Sequence, residues 1–192
     1  MLAELIKKNR SYRRFYEDQK IDLETLKELV ELARLSPSAA NLQPLKFILS
    51  SDPEKNKKIF PHLAWAGYLK DWPGPEEGER PSAYIILLGD TKIGASFFDQ
   101  DVGIACQSIL LGAVEKGLGG CILASIAREK LRAVLNLSEQ YEILLIIALG
   151  HPKEKVVIEP VASDGSIKYW RDEKDIHHVP KRALEEMILD YL

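Results

Sequence analysis

The 192-residue chain has only two cysteines, Cys106 and Cys121, and it contains no Cys-x-x-Cys pair. So few cysteines exclude a scaffold held together by disulfides. Long apolar runs are also missing, because the longest, 143–149, has the length of a strand and falls far short of the roughly 18 residues of a membrane span. The first residues are amphipathic and lack the apolar region and cleavage site of a secretory signal. We therefore expect a cytoplasmic protein that does not bind a membrane.

An excess of charge of either sign is absent, because 26 Lys and Arg residues stand against 29 Asp and Glu residues, for a net charge of -3. A protein dedicated to binding DNA or RNA would normally be distinctly basic, so we expect no nucleic-acid partner. The chain is 46% hydrophobic and 29% charged, which is typical of a globular protein and excludes a disordered chain, a collagen or a coiled-coil rod. Without repeats or linkers, residues 1–192 are predicted to form a single domain.

The spacing of apolar residues predicts an α+β protein, with helices and strands arranged in α/β layers around one core. Helical spacing predicts helices over 1–8, 22–35, 57–69, 97–116, 126–135 and 184–191. Apolar or extended segments predict strands over 47–49, 83–88, 142–149 and 156–158, followed by a hairpin of 166–170 and 176–179. The helix over 97–116 is apolar around most of its circumference, so it is predicted to lie deep in the core.

A run of cations occupies residues 7–14, where five of eight side chains are Lys or Arg and none is acidic. Such a run is commonly a solvated face of a protein. Alternatively, Arg10, Ser11 and Arg13 supply the cations and the hydroxyl group that a phosphate monoester binds. Arginine suits this task because its planar guanidinium bonds two oxygens at once. The segment alone leaves both interpretations open.

The loop over 36–44 is built mostly from small residues. Small side chains let a flat ligand approach the backbone closely. Asn41 and Gln43 add amide donors and acceptors, which match the alternating carbonyl and N–H groups of a pyrimidine-like ring. An ordinary connection between a helix and a strand can have the same composition, so this loop alone does not establish a ligand site.

Together these segments resemble the FMN-dependent nitroreductase family. The resemblance begins with N-R-S-Y-R-R-F at 9–15, followed after one helix by S-P-S-A-A-N-L-Q-P at 36–44. It continues with the apolar helix and glycine turn at 101–119, A-L-G-H-P at 148–152 and P-K-R-A-L-E-E at 180–186. Each motif is weak alone, but the five occur in the order of the family and cover most of the chain. Two positions depart from the family: Asn9 replaces a frequent arginine, and Leu45 replaces a frequent tryptophan.

The resemblance implies a central mixed, largely antiparallel sheet flanked by helices, in an intertwined homodimer that binds FMN at its interface. Arg10, Ser11 and Arg13 would hold the phosphate and ribityl end, completed by Lys181 or Arg182. The residues that would line the flavin ring from the partner subunit are Pro37, Ser38, Ala39 and Asn41. The backbone at Leu123 to Ala124 would offer an N–H group towards the flavin N5 atom.

The family reaction is ping-pong: NAD(P)H delivers hydride to the flavin, and a small electron-poor acceptor such as a nitro compound, quinone or flavin then takes the electrons. Because a flavin carries this chemistry itself, no side chain is predicted to be a catalytic nucleophile. Relatives with this fold oxidise azolines, remove halogens or cleave flavins, and a non-catalytic FMN-binding protein is a further alternative. The physiological acceptor and the choice between NADH and NADPH are not predicted.

Other segments give weaker indications. His177 and His178 are adjacent in a predicted strand, so their side chains point to opposite faces, and no metal site is predicted. Cys106 is expected in the core, while Cys121 is placed near the flavin by its position. The proline- and glycine-rich loop over 71–81 is a candidate lid. The side chains expected to shape the pocket together with this loop are Trp65 and Trp72.

Overall fold

The computed structural model describes residues 1–94 and 96–190. The helices are α1 (Leu2–Lys8), α2 (Leu23–Leu35), α3 (Pro53–Ile59), α4 (Phe98–Glu115), α5 (Arg128–Leu135) and α6 (Leu184–Met187). The strands are β1 (Phe15–Tyr16), β2 (Leu45–Ser50), β3 (Ala83–Asp90), β4 (Gly119–Leu123), β5 (Tyr141–Pro152), β6 (Val156–Pro160), β7 (Trp170–Arg171) and β8 (His177–Lys181). These elements form the predicted α+β architecture.

A five-stranded antiparallel sheet forms the centre of the fold. Its order is β1-β5-β3-β2, and β4 also pairs with β5. The long strand β5 therefore contacts three other strands, with Ile146 opposite both Ile86 of β3 and Leu123 of β4. Parallel pairing occurs in two places: Ser11 forms a parallel bridge with Gly120 of β4, and β6 and β8 are parallel in a separate three-stranded sheet with β7.

Helices cover both faces of the central sheet. Ile85, Leu87 and Ile147 face a cluster that includes residues of α2 and α4. The alternate side chains Ile86 and Ile146 face a second cluster that includes residues from α3 and α5. Burial on both faces explains why β3 and β5 are continuous apolar runs rather than alternating ones.

The helix predicted over 97–116 is confirmed as α4, which buries residues along most of its length. The helix predicted over 22–35 is confirmed as α2. Asp22 caps its first turn by accepting a hydrogen bond from the Thr25 amide at 2.6 Å. Such a cap satisfies an amide that has no partner within the helix. Together α2 and α4 form the layer behind the site described below.

The helix predicted over 57–69 is wrong. Asp52 caps an earlier helix, α3, whose first residue is Pro53. A 3₁₀ turn at Phe60–His62 follows, and the rest of the predicted helix, residues 63–69, is not helical. The signal in the sequence was the Asp-Pro pair at 52–53, since Asp is a good cap and Pro suits the first helical position.

Three further differences concern strands and the C-terminal end. The strand β4 was not predicted, because its two leading glycines were interpreted as part of a turn. The predicted hairpin of 166–170 and 176–179 is reduced to a short β7 paired with β8. The helix predicted over 184–191 is limited to α6, and Tyr191 lies outside the described residues. No helix in the described ranges combines the length and apolarity needed to cross a bilayer.

Candidate functional site

A basic cavity of about 300 Å³ lies where the segment after α1 meets the ends of β4 and β8. Its lining residues are Ile6, Asn9, Arg10, Ser11, Arg13, Gln107, Leu110, Gly120, Ile122, Tyr169, His177, Val179 and Lys181. Three of these side chains are Lys or Arg, and no carboxylate from the described residues lines the cavity. We call this space the basic cavity below.

The basic segment reaches the cavity because it runs beside β4. Ser11 forms a parallel bridge with Gly120, and the Tyr12 amide donates to the Gly120 carbonyl at 3.0 Å. The approach requires glycine, because a Cβ atom on Gly119 would lie 2.5 Å from the Tyr12 ring. The glycines that obscured the strand in the sequence therefore allow the cation-bearing backbone to pack against it.

Arg13 is the most buried cation in the cavity lining, with 8% of the residue exposed. Its Nη1 atom lies 3.1 Å from the Ser11 carbonyl oxygen and 3.2 Å from Nε2 of His177. Its guanidinium also covers the Tyr169 ring at 4.8 Å. Its Nε atom is buried without a hydrogen-bond partner, and none of the ion pairs within the described ranges includes it. A buried arginine without an anion is rare, so this geometry favours binding of an anion.

Arg10 adds a second cation to the same cavity. Its Nη2 atom donates to the Ile6 carbonyl at 3.0 Å, while its Nε atom is buried without a partner. Lys181, the last residue of β8, supplies the third cation. Arg182 does not line the cavity; it pairs with Glu186 of α6 at 3.3 Å. Of the two alternatives for completing the cage, the structure therefore places Lys181 at the cavity.

The cation run at 7–14 divides between two tasks. Arg14 turns away from the basic cavity and forms an ion pair with Glu79, which also contacts Lys153 at 2.9 Å. The hydrogen bond to Glu79 raises the pKa of Arg14, and the same contact lowers the pKa of Glu79 to about 2. Arg14 thus stabilises the fold, whereas Arg10 and Arg13 remain available to a ligand.

The small-residue loop at 36–44 is held by Asp101, a residue of α4 that is only 3% exposed. Its carboxylate accepts from the Ser38 hydroxyl at 2.6 Å and from the Ala39 amide at 2.8 Å. The Ser38 oxygen in turn accepts from the Gln43 amide at 2.9 Å. The hydroxyl proton of Ser38 and the amide of Ala39 are therefore already engaged within this chain. The sequence did not predict that Asp101 would hold this loop.

The loop opens onto a different cavity of about 510 Å³, between α2 and the edge strand β2. Pro37 and Ser38 line this second cavity, while Ala39 and Asn41 do not. Ala40, Asn41 and Gln43 have positive φ angles of 50°, 54° and 52°. These left-handed conformations form a sharply folded loop. Within one chain, the structure does not bring the loop residues into the basic cavity with Arg10 and Arg13.

The expected N5 contact falls at the end of β4. Leu123 is buried on the sheet, and the exposed Ala124 follows it. Beyond this point residues 125–127 pair with residues 62–64 through two hydrogen bonds, from the Ala64 amide to Ser125 at 3.0 Å and from the Ala127 amide to His62 at 2.8 Å. The backbone at Ala124 therefore lies between two hydrogen-bonded segments.

The other candidate residues have structural contacts. Trp65 is buried against Phe60, and Arg171 covers the ring of Trp72 at 4.3 Å. The loop at 71–81 is attached to the fold by Glu79 and by Glu17, which accepts from the Gly78 amide at 2.5 Å. Neither tryptophan lines the basic cavity.

Neither cysteine is activated. Cys106 and Cys121 are both buried and free. Burial raises the pKa of the Cys106 thiol to about 12 and also raises the pKa of Cys121. A thiol that stays protonated is a poor nucleophile, so these side chains pack as small apolar residues.

The two adjacent histidines point to opposite sides of β8, as predicted. His177 is buried beside Arg13, whereas His178 stacks on Trp170 with ring centroids 4.1 Å apart. Within the described ranges, no cluster of three or more His, Cys, Asp or Glu residues is arranged to hold a metal ion.

Comparison with known proteins assigns the fold and the family. A family model described as Nitroreductase family matches residues 6–151. A protein from Archaeoglobus fulgidus named "Putative NADH dehydrogenase/NAD(P)H nitroreductase" is 31% identical over 149 residues, covering 74% of this chain and 80% of its own. An iodotyrosine deiodinase from Thermotoga neapolitana is 26% identical and covers 80% of this chain and 90% of its own.

A solved structure supports the same assignment. The chain is similar to an FMN-dependent nitroreductase from Clostridium difficile R20291, with a TM-score of 0.62 and 26% identity. The match covers 79% of this chain and 87% of that chain.

Proposed function

The chain belongs to the nitroreductase family of oxidoreductases, and on that premise we propose that it is an FMN-dependent enzyme. It passes electrons from NAD(P)H to small electron-poor acceptors, such as nitro compounds, quinones or flavins, by a ping-pong mechanism. The observation that carries this proposal is the buried Arg13, which lacks an ionic partner among the described residues and lines a cavity with Arg10 and Lys181.

The residues of the basic cavity fit the phosphate end of FMN. A phosphate monoester carries nearly two negative charges at neutral pH and three strong acceptor oxygens. Arg10 and Arg13 each have a buried Nε–H group without a partner, and Ser11 adds a hydroxyl. Lys181 adds a point charge from β8. A cavity of about 300 Å³ has room for a phosphate and part of the ribityl chain.

A flavin bound with its phosphate in the basic cavity of about 300 Å³ would have its ring outside that cavity, which favours a homodimeric site. The loop at 36–44 opens onto a separate cavity, so Pro37, Ser38, Ala39 and Asn41 would reach the ring from a second copy of the chain. Because Asp101 already binds the Ser38 hydroxyl and the Ala39 amide, this loop would contribute mainly shape and backbone carbonyl groups. The backbone at Leu123 to Ala124 would face the reactive edge of the ring.

FMN held there would supply the redox chemistry between NAD(P)H and the acceptor. The chain supplies three things. The cations of the basic cavity anchor the phosphate, the dimer interface excludes water, and the small residues at 36–44 leave the ring accessible. No side chain of the basic cavity is required as a nucleophile, because the flavin would carry the redox chemistry.

Reductive removal of halogen from an aromatic ring is a second candidate reaction. It is favoured by the similarity to the Thermotoga neapolitana iodotyrosine deiodinase, which spans 80% of this chain. Both reactions would use the same FMN site and differ in the acceptor. Incubating the reduced protein anaerobically with a nitroaromatic in one arm and 3-iodotyrosine in the other separates them, because only the second reaction releases iodide.

The first experiment is a visible absorption spectrum of the purified protein, recorded before and after anaerobic addition of NADH or NADPH. We expect flavin bands that bleach when the reductant is added. Bands that persist would indicate a flavin-binding protein or a relative with another reductant. A colourless protein that does not take up added FMN would overturn the proposal. The basic segment would then be interpreted as a solvated face of the protein.

A further inference from the structure

We infer that His177 is a positioning residue: its neutral ring accepts a hydrogen bond from Arg13 and orients that guanidinium in the basic cavity without cancelling its charge. The inference rests on the proposed function. His177 lies in β8 and is only 1% exposed. Its Nε2 atom is 3.2 Å from Nη1 of Arg13, within hydrogen-bond distance.

The contact defines the protonation state of the ring. A guanidinium carries only donors, so Nε2 of His177 has to be the acceptor and the ring proton has to be on Nδ1. A doubly protonated ring would place two donors and two positive charges against each other. Burial, with the nearby cations Arg13 and Arg171, lowers the pKa of His177 to about 4, so the ring is neutral at physiological pH.

A neutral acceptor is the important feature, because within the described residues the direct contacts of the Arg13 guanidinium are uncharged. These contacts are the Ser11 carbonyl, the ring nitrogen of His177 and the face of the Tyr169 ring. They hold the guanidinium in place and leave its full charge available. A carboxylate at position 177 would hold it equally well but would form an ion pair that competes with a bound phosphate.

The buried carboxylate of Glu154 serves a different purpose. Glu154 accepts from the backbone amides of Arg13 and Arg14 and is paired with Arg171 at 2.9 Å. Its charge is therefore compensated by another arginine, and it fixes the backbone rather than the side chain of Arg13. The structure thus separates two tasks: a carboxylate fixes the backbone and a neutral ring orients the cation.

Aromatic contacts keep the His177 ring in place. Tyr169 packs against it with ring centroids 5.2 Å apart. The ring of Tyr68 packs in turn against Tyr169, with centroids 4.9 Å apart. Arg13 also lies over Tyr169. The His177 ring therefore cannot swing away from Arg13 without losing its contact with Tyr169.

The test compares His177→Gln with His177→Glu, two side chains of nearly equal shape that differ by one charge. Affinities for FMN and for riboflavin, which lacks the phosphate, are measured by fluorescence titration, and thermal unfolding checks the fold. We expect His177→Gln to bind FMN within about threefold of the wild type and His177→Glu to bind it about ten- to a hundredfold more weakly. Riboflavin affinity should differ little between the two variants.

The same pair of substitutions is repeated in an Arg13→Ala background. If His177 acts through Arg13, the difference in FMN affinity between Gln and Glu should largely disappear there. Equal FMN affinity of the two single variants, an equal loss of riboflavin affinity, or a difference that persists without Arg13 would each overturn the inference.

A third variant protects the test if His177→Glu does not fold. His177→Leu removes the acceptor without adding charge, and it should weaken FMN binding about three- to tenfold relative to His177→Gln. Equal binding by the Leu and Gln variants would contradict a positioning role. If the wild type binds no FMN, the proposed function fails, and calorimetric titration with inorganic phosphate decides the inference by the same Gln and Glu comparison.

Discussion

Arg14 and Glu79 form a two-point ion pair that attaches the proline-rich loop at 71–81 to the chain immediately before β1. Nε of Arg14 lies 2.5 Å from Oε2 of Glu79, and Nη2 lies 2.8 Å from Oε1. The Phe15 amide also donates to the Glu79 carbonyl at 3.0 Å. The loop that the sequence presented as a candidate lid is thus held at Glu79 by both its side chain and its backbone.

We expect Glu79→Gln to lower the free energy of unfolding at pH 7 by about 1–2 kcal/mol. The pKa of Glu79 is about 2 in the folded chain, below the value of about 4.3 for an unperturbed Glu. Its stabilising contribution is therefore present above the unfolded pKa and is lost as the pH falls towards 2. Urea unfolding at pH 7 and pH 3 should show a smaller difference between wild type and variant at the lower pH.

Glu77→Gln is the matched control, because Glu77 is an exposed residue of the same loop. It removes the same charge without removing the ion pair. If Glu77→Gln destabilises the protein as much as Glu79→Gln, the effect belongs to the charge of the loop and not to the contact with Arg14.

The two arginines of the basic cavity should matter for FMN binding. Arg10→Ala and Arg13→Ala are each expected to weaken FMN binding by about 1.5–3 kcal/mol, roughly ten- to a hundredfold. Lys8→Ala removes a cation from the same run but outside the cavity lining, and it should leave the affinity unchanged. Unchanged FMN affinity in both arginine variants would contradict the assignment of the phosphate site.

Asp101 is predicted to be essential for the shape of the small-residue loop. Asp101→Ala leaves the Ser38 hydroxyl and the Ala39 amide without their acceptor, which should destabilise the fold by about 2–3 kcal/mol. Asp99→Ala, an exposed position in the same first turn of α4, should cost much less. Guanidinium unfolding curves of the two variants measure the difference, and similar midpoints would contradict the role of Asp101.

Binding of FMN should depend on association of two chains. Within one chain, the loop at 36–44 does not open onto the basic cavity, so we expect a complete site to need two subunits. Light scattering and FMN titration over a range of protein concentrations should show affinity falling as dimers dissociate. Tight FMN binding by a confirmed monomer would refute a shared site.

Periodicity predicted the elements that are buried on all sides. The apolar runs of β3 and β5 and the helix α4 were predicted because burial on both faces or around the circumference leaves no polar positions. The strand β4 was missed because glycine has a low strand propensity. In the structure, that low propensity is overridden by packing, since a Cβ atom on Gly120 would lie 2.6 Å from Leu110.

Only those parts of the site whose residues are close together in the sequence could be predicted. The cation run made Arg10 and Arg13 candidates for binding a phosphate, and the structure places both in one cavity lining. The sequence gives no local signal that Arg14, from the same run, pairs with Glu79 instead. The partners of the small-residue loop were equally hidden, because Asp101 follows Ser38 by 63 positions. The contact between His177 and Arg13 joins residues 164 positions apart. Such pairings arise from the tertiary fold and leave no periodic pattern in the sequence.

The position of β5 has a consequence for synthesis of the chain on the ribosome. The strands β1, β3 and β4 all pair with residues between 141 and 152. Most of the central sheet therefore cannot form until about three quarters of the chain has emerged from the ribosome. Until then β3, which is buried along its whole length in the folded chain, can pair only with β2 and exposes a free edge. We therefore expect nascent chains that stall before residue 141 to be the form of this protein most prone to aggregation and most dependent on chaperones.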